Sequence, residues 1–138
     1  MTLSKLGPAA VLLLFALMNL ARGGLHVFSP DGGAGTIAGL DLSTSADTII
    51  PLFALIGVNQ IGLGLFEAYV LAARRDLVAL GLGLQTVLTA GAVANLQVWR
   101  PLPVEVPGEI FNTVLLPIVM IAWALALHGD RKARLGIR

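Results

Sequence analysis

The sequence carries one carboxyl group inside an apolar stretch that is long enough to cross a bilayer. This group is Glu67, and it lies in the stretch from Ile49 to Ala73. At about 100° per helical residue, one line on such a helix is small or polar at every step. The line consists of Gly57, Gln60, Gly64 and Glu67. A carboxyl group buried in a membrane helix is a functional hypothesis by default, because burial disfavours its charged form. We expect Glu67 to be a neutral acid, available for hydrogen bonding or proton exchange.

The elements that must position Glu67 are four apolar stretches. The 138 residues are 57% hydrophobic and 12% charged, against about 25% charged residues in soluble domains. Roughly 20 apolar residues cross the hydrocarbon core, and a helix satisfies its own backbone groups there. The sequence therefore predicts an all-α integral membrane protein, an up-down four-helix bundle in one domain over residues 1–138. The expected helices cover about 3–24, 48–73, 77–98 and 107–128, with outer loops at 25–47 and 99–106.

The first apolar stretch permits two interpretations. A signal peptide has a basic start, a short apolar centre and small residues before its cleavage site. Cleavage after Ala21 would place Asn19 where a small residue is preferred. We therefore expect an uncleaved first membrane helix that ends at Gly23 and Gly24, since glycine suits a helix C-terminus.

The short connection Arg74-Arg75-Asp76 predicts a tight hairpin between the second and third helices. Folding the chain about Arg75 brings Gln85 to nearly the depth of Glu67. Small residues let membrane helices approach closely, and polar side chains hydrogen-bond between them. Glu67 is then either a structural hydrogen-bonding residue facing Gln85 or a residue with a functional proton.

The distribution of basic residues predicts the topology, because positively charged loops stay in the cytoplasm. Arg22 and Arg100 fall on one side of the predicted membrane. The other side holds Lys5, Arg74, Arg75, Arg131, Lys132, Arg134 and Arg138. Both termini are therefore expected in the cytoplasm.

Several polar residues converge on the outer half of the predicted bundle. Together with Glu67 and Gln85, they are the candidate ligand-binding residues. The full set is Asn19, Arg22, His26, Asn59, Gln60, Glu67, Gln85, Asn95, Glu109 and Asn112. Such a set can line a pocket for a lipid head group or small amphiphile, since ligand sites in bundles lie between helices. It can equally form interhelical hydrogen bonds.

Other kinds of site are not expected. The chain has no cysteine, which removes disulfides, thiol redox chemistry and thiolate metal sites. Its two histidines, His26 and His128, fall at opposite membrane faces, so one copy cannot give a haem two axial imidazoles. We predict no catalytic residue, no metal and no cofactor, and the net charge of +1 does not indicate a nucleic-acid partner.

Four motifs give the chain a resemblance to a known group. They are Arg-x-x-x-His from Arg22 to His26, the Pro-Asp-Gly loop at Pro30, the glycine-rich second and third helices, and Pro-Gly-x-x-x-Asn from Pro107 to Asn112. In these features the chain resembles small bacterial DoxX-like membrane proteins of unassigned function. The resemblance implies a four-helix bundle in the bacterial inner membrane. DoxX-type proteins linked to thiosulfate and quinone oxidation act with partner subunits, but this sequence shows no cofactor motif for that activity.

Three function classes follow from these observations. The first is a non-enzymatic accessory or interaction subunit of a membrane complex, with other membrane subunits or a second copy as its partner. The second is a binder of a lipid, quinone or sterol-like molecule in the outer half of the bundle. The third is a small membrane isomerase that uses Glu67 or the Arg22 and His26 pair. The first class needs only helix faces with small residues and the surfaces of the loops, so it is the expected one. An enzyme is less expected than either non-enzymatic class.

Overall fold

The computed structural model describes residues 3–101 and 105–135, with the backbone alone for residues 3–6. Four long helices account for most of the chain. They are α1 (Leu3–Phe28), α2 (Ala46–Ala73), α3 (Val78–Ala94) and α4 (Pro107–Arg134). A 3-10 turn at Arg75–Leu77 precedes α3, and a π-helical turn at Asn95–Trp99 follows it. Four segments are long and apolar enough to cross a membrane: Gly7–Phe28, Ala46–Ala73, Arg75–Trp99 and Pro107–Arg134. The prediction of an all-α fold with four membrane-length helices is confirmed.

The end of α1 differs from the prediction. The helix continues through Gly23 and Gly24 to Phe28 instead of ending at the glycine pair. Gly23 serves close packing, because a Cβ on it would lie 2.7 Å from the Gly57 carbonyl oxygen of α2. In return, a Cβ on Gly57 would lie 2.8 Å from the Gly23 carbonyl oxygen. The two glycines therefore let the backbones of α1 and α2 meet directly.

Helix α1 packs against all three other helices, most extensively against α2, and α3 packs mainly against α4. Gly83 on α3 lies under the Trp123 ring of α4, where a Cβ would be 2.9 Å from Nε1. The apolar core is a cluster of Leu12, Phe15, Val70, Leu82, Leu115, Val119 and Ala122. Its members precede Asn19 on α1, follow Glu67 on α2 and precede Gln85 on α3. The core therefore lies on the side of these polar residues that faces the α2–α3 hairpin.

The connection between α1 and α2 is a compact series of turns built around Asp31. Its Oδ1 accepts from the Gly33 amide at 2.8 Å, and its Oδ2 accepts from the Gly35 and Thr36 amides at 3.1 and 2.7 Å. Gly32 and Gly33 have φ angles of 62° and 77°, which only glycine adopts easily. The Pro-Asp-Gly sequence at Pro30 therefore forms a turn, and one carboxylate holds the loop between the two helices.

Candidate functional site

The interior polar residues form a hydrogen-bonded cluster that joins three helices. Asn19 Nδ2 donates to Glu67 Oε2 at 2.9 Å and to Gln85 Oε1 at 3.1 Å. Gln85 Nε2 in turn donates to Thr89 Oγ1 at 3.0 Å. We call Asn19, Glu67, Gln85 and Thr89 the polar cluster. It links α1 to α2 and to α3 in one layer across the bundle.

The polar cluster is shielded from the surroundings. Glu67 has 0% of its surface exposed, and Asn19 has 9%. Glu67 Oε1 has no hydrogen-bond partner among the described residues. Among the described residues, a charged carboxylate here would have one neutral donor and no cation to offset its desolvation. A neutral acid retains the bond from Asn19 at Oε2 and leaves a single hydroxyl, on Oε1, to be satisfied.

Local sequence explains why these residues meet. Gly64 lies one turn before Glu67 on α2, and a Cβ on it would lie 3.0 Å from the Ala16 carbonyl oxygen of α1. The resulting close approach brings Asn19 within hydrogen-bonding distance of Glu67. The tight hairpin at Arg74 to Leu77 then returns α3 so that Gln85 reaches the same layer.

Gln60 lies two helical turns from Glu67 on the same face of α2. Its side chain is half-buried, and its Oε1 is buried without a hydrogen-bond partner among the described residues. The interior face of α2 therefore carries two buried oxygen atoms, on Gln60 and Glu67, that have no partner among the described residues. The Gln60 oxygen accepts hydrogen bonds, whereas Glu67 Oε1 donates one when the acid is protonated.

Arg22 and His26 lie one turn apart on α1 but contact different elements. The Arg22 guanidinium is near the start of α4, where a Cβ on Gly108 would lie 3.1 Å from Nη2. His26 Nδ1 donates to the Gly32 carbonyl oxygen at 2.6 Å, and its ring meets the Phe53 ring edge-on with centroids 5.3 Å apart. His26 therefore holds the Asp31 loop against α2. The two side chains are therefore positioned by different elements.

The remaining candidate residues lie away from the polar cluster. Asn59 is exposed on α2, and its Nδ2 donates to the Leu55 carbonyl oxygen of its own helix at 3.0 Å. Asn95 is exposed in the π-helical turn, whereas Glu109 and Asn112 are half-buried in the first turns of α4. Of the ten candidates, the structure therefore connects Asn19, Glu67 and Gln85 to one another.

Two surface grooves lie at opposite ends of α4. One has a volume of about 330 Å³ and is lined by Gln97, Glu105, Glu109, Ile110, Thr113 and Val114. Gln97 Nε2 donates to Thr113 Oγ1 across its wall at 2.6 Å, a link between the π-helical turn and α4 that the sequence did not reveal. The other groove has about 260 Å³ and is lined by His128, Arg131, Lys132 and Leu135. Both are shallow features outside the bundle interior.

Residues 3–101 and 105–135 contain no group of three histidine or acidic side chains that could hold a metal ion. Comparison with known proteins gives no match to a family model, to a curated protein or to a solved structure. These comparisons therefore assign no family to the chain.

Proposed function

We propose that the chain is a multi-pass protein of the bacterial inner membrane that acts as a non-enzymatic accessory or interaction subunit of a membrane complex. The observation that carries the proposal is the polar cluster, in which Asn19 donates to both Glu67 and Gln85 inside the bundle. Polar side chains used in this way fix the register of the helices. The surfaces of the bundle, rather than its interior, are then left to interact with other molecules.

The orientation and the membrane assigned here also belong to the proposal. The excess of basic residues at the hairpin and the C-terminal end supports a cytoplasmic location for both termini. The resemblance of the Arg22 to His26 and Pro107 to Asn112 motifs to DoxX-like proteins supports the inner membrane and a role beside partner subunits.

Native mass spectrometry of the protein, extracted gently from its own membrane, tests this function. We expect a complex whose mass equals that of this chain plus a whole number of further protein chains. A single chain without a protein partner, under conditions that preserve known membrane complexes, would contradict the proposal.

A second candidate is a binder of a small apolar molecule that carries a hydrogen-bonding group, such as a lipid, a quinone or a sterol-like molecule. The two unsatisfied oxygen atoms on Gln60 and Glu67 favour it, since buried polar groups are normally hydrogen-bonded. An organic extract of the purified protein should then contain one enriched small molecule. The same extract from a folded Glu67→Leu variant should lack it. Equal amounts in both extracts would exclude Glu67 as the binding residue.

A further inference from the structure

The outward surface of α2 carries an amide in its middle. Asn59 lies at the centre of the 28-residue helix Ala46–Ala73 and is exposed. Its neighbours on the surface are apolar and also exposed, with 58% exposure for Leu55 and 56% for Val58. If α2 crosses the membrane, as the proposed function requires, this amide faces the hydrocarbon near the bilayer centre. A polar group in this position needs a partner, because lipid tails offer no hydrogen bonds.

The hydrogen-bonding capacity of Asn59 defines that partner. A side-chain amide has two N–H donors and one acceptor oxygen. One donor is used by the bond from Nδ2 to the Leu55 carbonyl oxygen at 3.0 Å. One N–H and the Oδ1 atom remain without a partner among the described residues. A group with one free donor and one free acceptor is complementary to a copy of itself.

The surface next to Asn59 also permits close approach of another helix. Gly62 is exposed, and a Cβ built on it would have no atom within 4 Å. This glycine is not needed for packing inside the chain, in contrast to Gly57 and Gly64, where a Cβ would contact α1. A glycine one turn from Asn59 has no side chain to keep a second helix away, so two helix backbones can come near enough for their side-chain amides to bond.

We infer that two copies of this chain associate through the outward surface of α2, with Asn59 of each copy bonded to Asn59 of the other. A two-fold axis places a residue opposite its own counterpart, so both bonds form at once: each free N–H donates to the Oδ1 of the other copy. The inference rests on the proposed function as a membrane interaction subunit, and it identifies the partner as a second copy.

The natural absence of cysteine gives a direct test. Asn59→Cys places a single thiol beside the proposed axis, where two Cβ atoms can come within disulfide distance. Mild oxidation in native membranes should convert Asn59→Cys into a covalent dimer. Leu88→Cys is the matched control, because Leu88 is 48% exposed on α3 at about the same distance from the hairpin. Equal cross-linking of both variants would indicate random collision and would overturn the inference.

A second test does not introduce a thiol. We expect Asn59→Leu to raise the dissociation constant of the dimer by roughly threefold to eightfold, for the loss of two interhelical hydrogen bonds. Gly62→Ile should also weaken the dimer, whereas Gly91→Ile should not, since Gly91 is an equally open glycine on α3. The mass distribution in lipid nanodiscs at several protein concentrations gives the constant, and circular dichroism verifies that each variant is folded.

The outcomes separate this inference from the proposed function. Suppose that the wild-type chain forms no homodimer but co-purifies with a different membrane protein. This result contradicts the Asn59 pairing and leaves the interaction role intact. A wild-type chain that is monomeric and has no protein partner contradicts both. Dimers that persist unchanged in Asn59→Leu also contradict the pairing.

Discussion

The side-chain amide of Asn19 donates to Glu67 Oε2 at 2.9 Å, and this bond joins α1 to α2 inside the bundle. The same Nδ2 donates to Gln85 on α3, so one amide connects three helices. Interhelical hydrogen bonds in membrane bundles are individually modest, about 0.6 kcal/mol on average. Their directional nature nevertheless specifies which residues face each other, and here it determines the register of α1, α2 and α3.

The first prediction concerns the acceptor of this bond. Glu67→Gln keeps an acceptor for Asn19 and removes no volume, so its thermal stability in mild detergent should match that of the wild type. Glu67→Leu removes the acceptor and leaves the Asn19 amide with one bond fewer, which should cost about 0.6 kcal/mol.

Asn19→Leu is a useful comparison for the same measurement. It removes both bonds from Nδ2 and should lower stability more than Glu67→Leu does. A Glu67→Leu protein as stable as the wild type would show that the Asn19–Glu67 bond contributes nothing. A folded Glu67→Gln protein that no longer binds its partner would indicate that the proton of Glu67 has a function.

The sequence was sufficient to predict that Glu67 and Gln85 lie in one layer. The short hairpin leaves little freedom in how α3 returns beside α2, and the small-residue line on α2 indicates which face is buried. These two facts depend on local spacing. The contribution of Asn19 could not be predicted from local spacing. The position of α1 along the bundle axis is set by the close contact between Gly23 and Gly57, and these residues are distant in sequence.

The glycine pair shows why another part could not be predicted. The outward direction of Asn59, in contrast, follows from its place about 100° around α2 from Gln60, off the small-residue line. Gly23 and Gly24 have the composition of a helix end, yet α1 continues because Gly23 packs against α2. At the glycine pair, tertiary packing decided between two local possibilities.

The second prediction uses these adjacent glycines as a matched pair. Gly23→Ala would place a Cβ 2.7 Å from the Gly57 carbonyl oxygen, so α1 and α2 must separate. We expect a loss of about 1–3 kcal/mol, as for overpacked cores. Gly24→Ala meets no atom within 4 Å and should be neutral or slightly stabilising, because alanine favours a helix. Unfolding in detergent mixtures measures both. Equal stability of the two variants would contradict the close packing of α1 against α2.

The third prediction concerns the loop that Asp31 organises. The amides of Thr36 and Gly33 donate to its carboxylate and hold the pKa of Asp31 below its ordinary value. A group with a lowered pKa stabilises the fold above its unfolded pKa of about 3.9, and this stabilisation is lost as the pH falls through the lower folded value. The loop should therefore be intact at neutral pH and loosen only in strong acid.

Hydrogen exchange at neutral pH tests the same contacts by mutation. Asp31→Asn leaves one acceptor oxygen where two served the amides of Gly33, Gly35 and Thr36, so at least one of these amides loses its acceptor and should exchange several-fold faster. Asp41→Asn is the control. Asp41 Oδ1 accepts from the Ser43 amide at 2.8 Å, and its substitution should leave Gly35 and Thr36 unchanged. Unaltered exchange at all three amides, Gly33, Gly35 and Thr36, in Asp31→Asn would mean that the carboxylate does not hold the loop.

The last prediction is the orientation of the chain in the membrane. The loop before α2 carries acidic residues and should face the periplasm, whereas the basic end of α4 should face the cytoplasm. Thr44 and Ala133 are both exposed, one at each of these ends, and the chain has no cysteine to interfere. A membrane-impermeant thiol reagent applied to spheroplasts should label Thr44→Cys and leave Ala133→Cys unlabelled until the cells are lysed. Labelling of Ala133→Cys alone would reverse the topology. Labelling of both variants before lysis would place the two ends on the same side of the membrane. This result would contradict the fold as three membrane spans, because the odd number of helices from α2 to α4 puts the two ends on opposite sides.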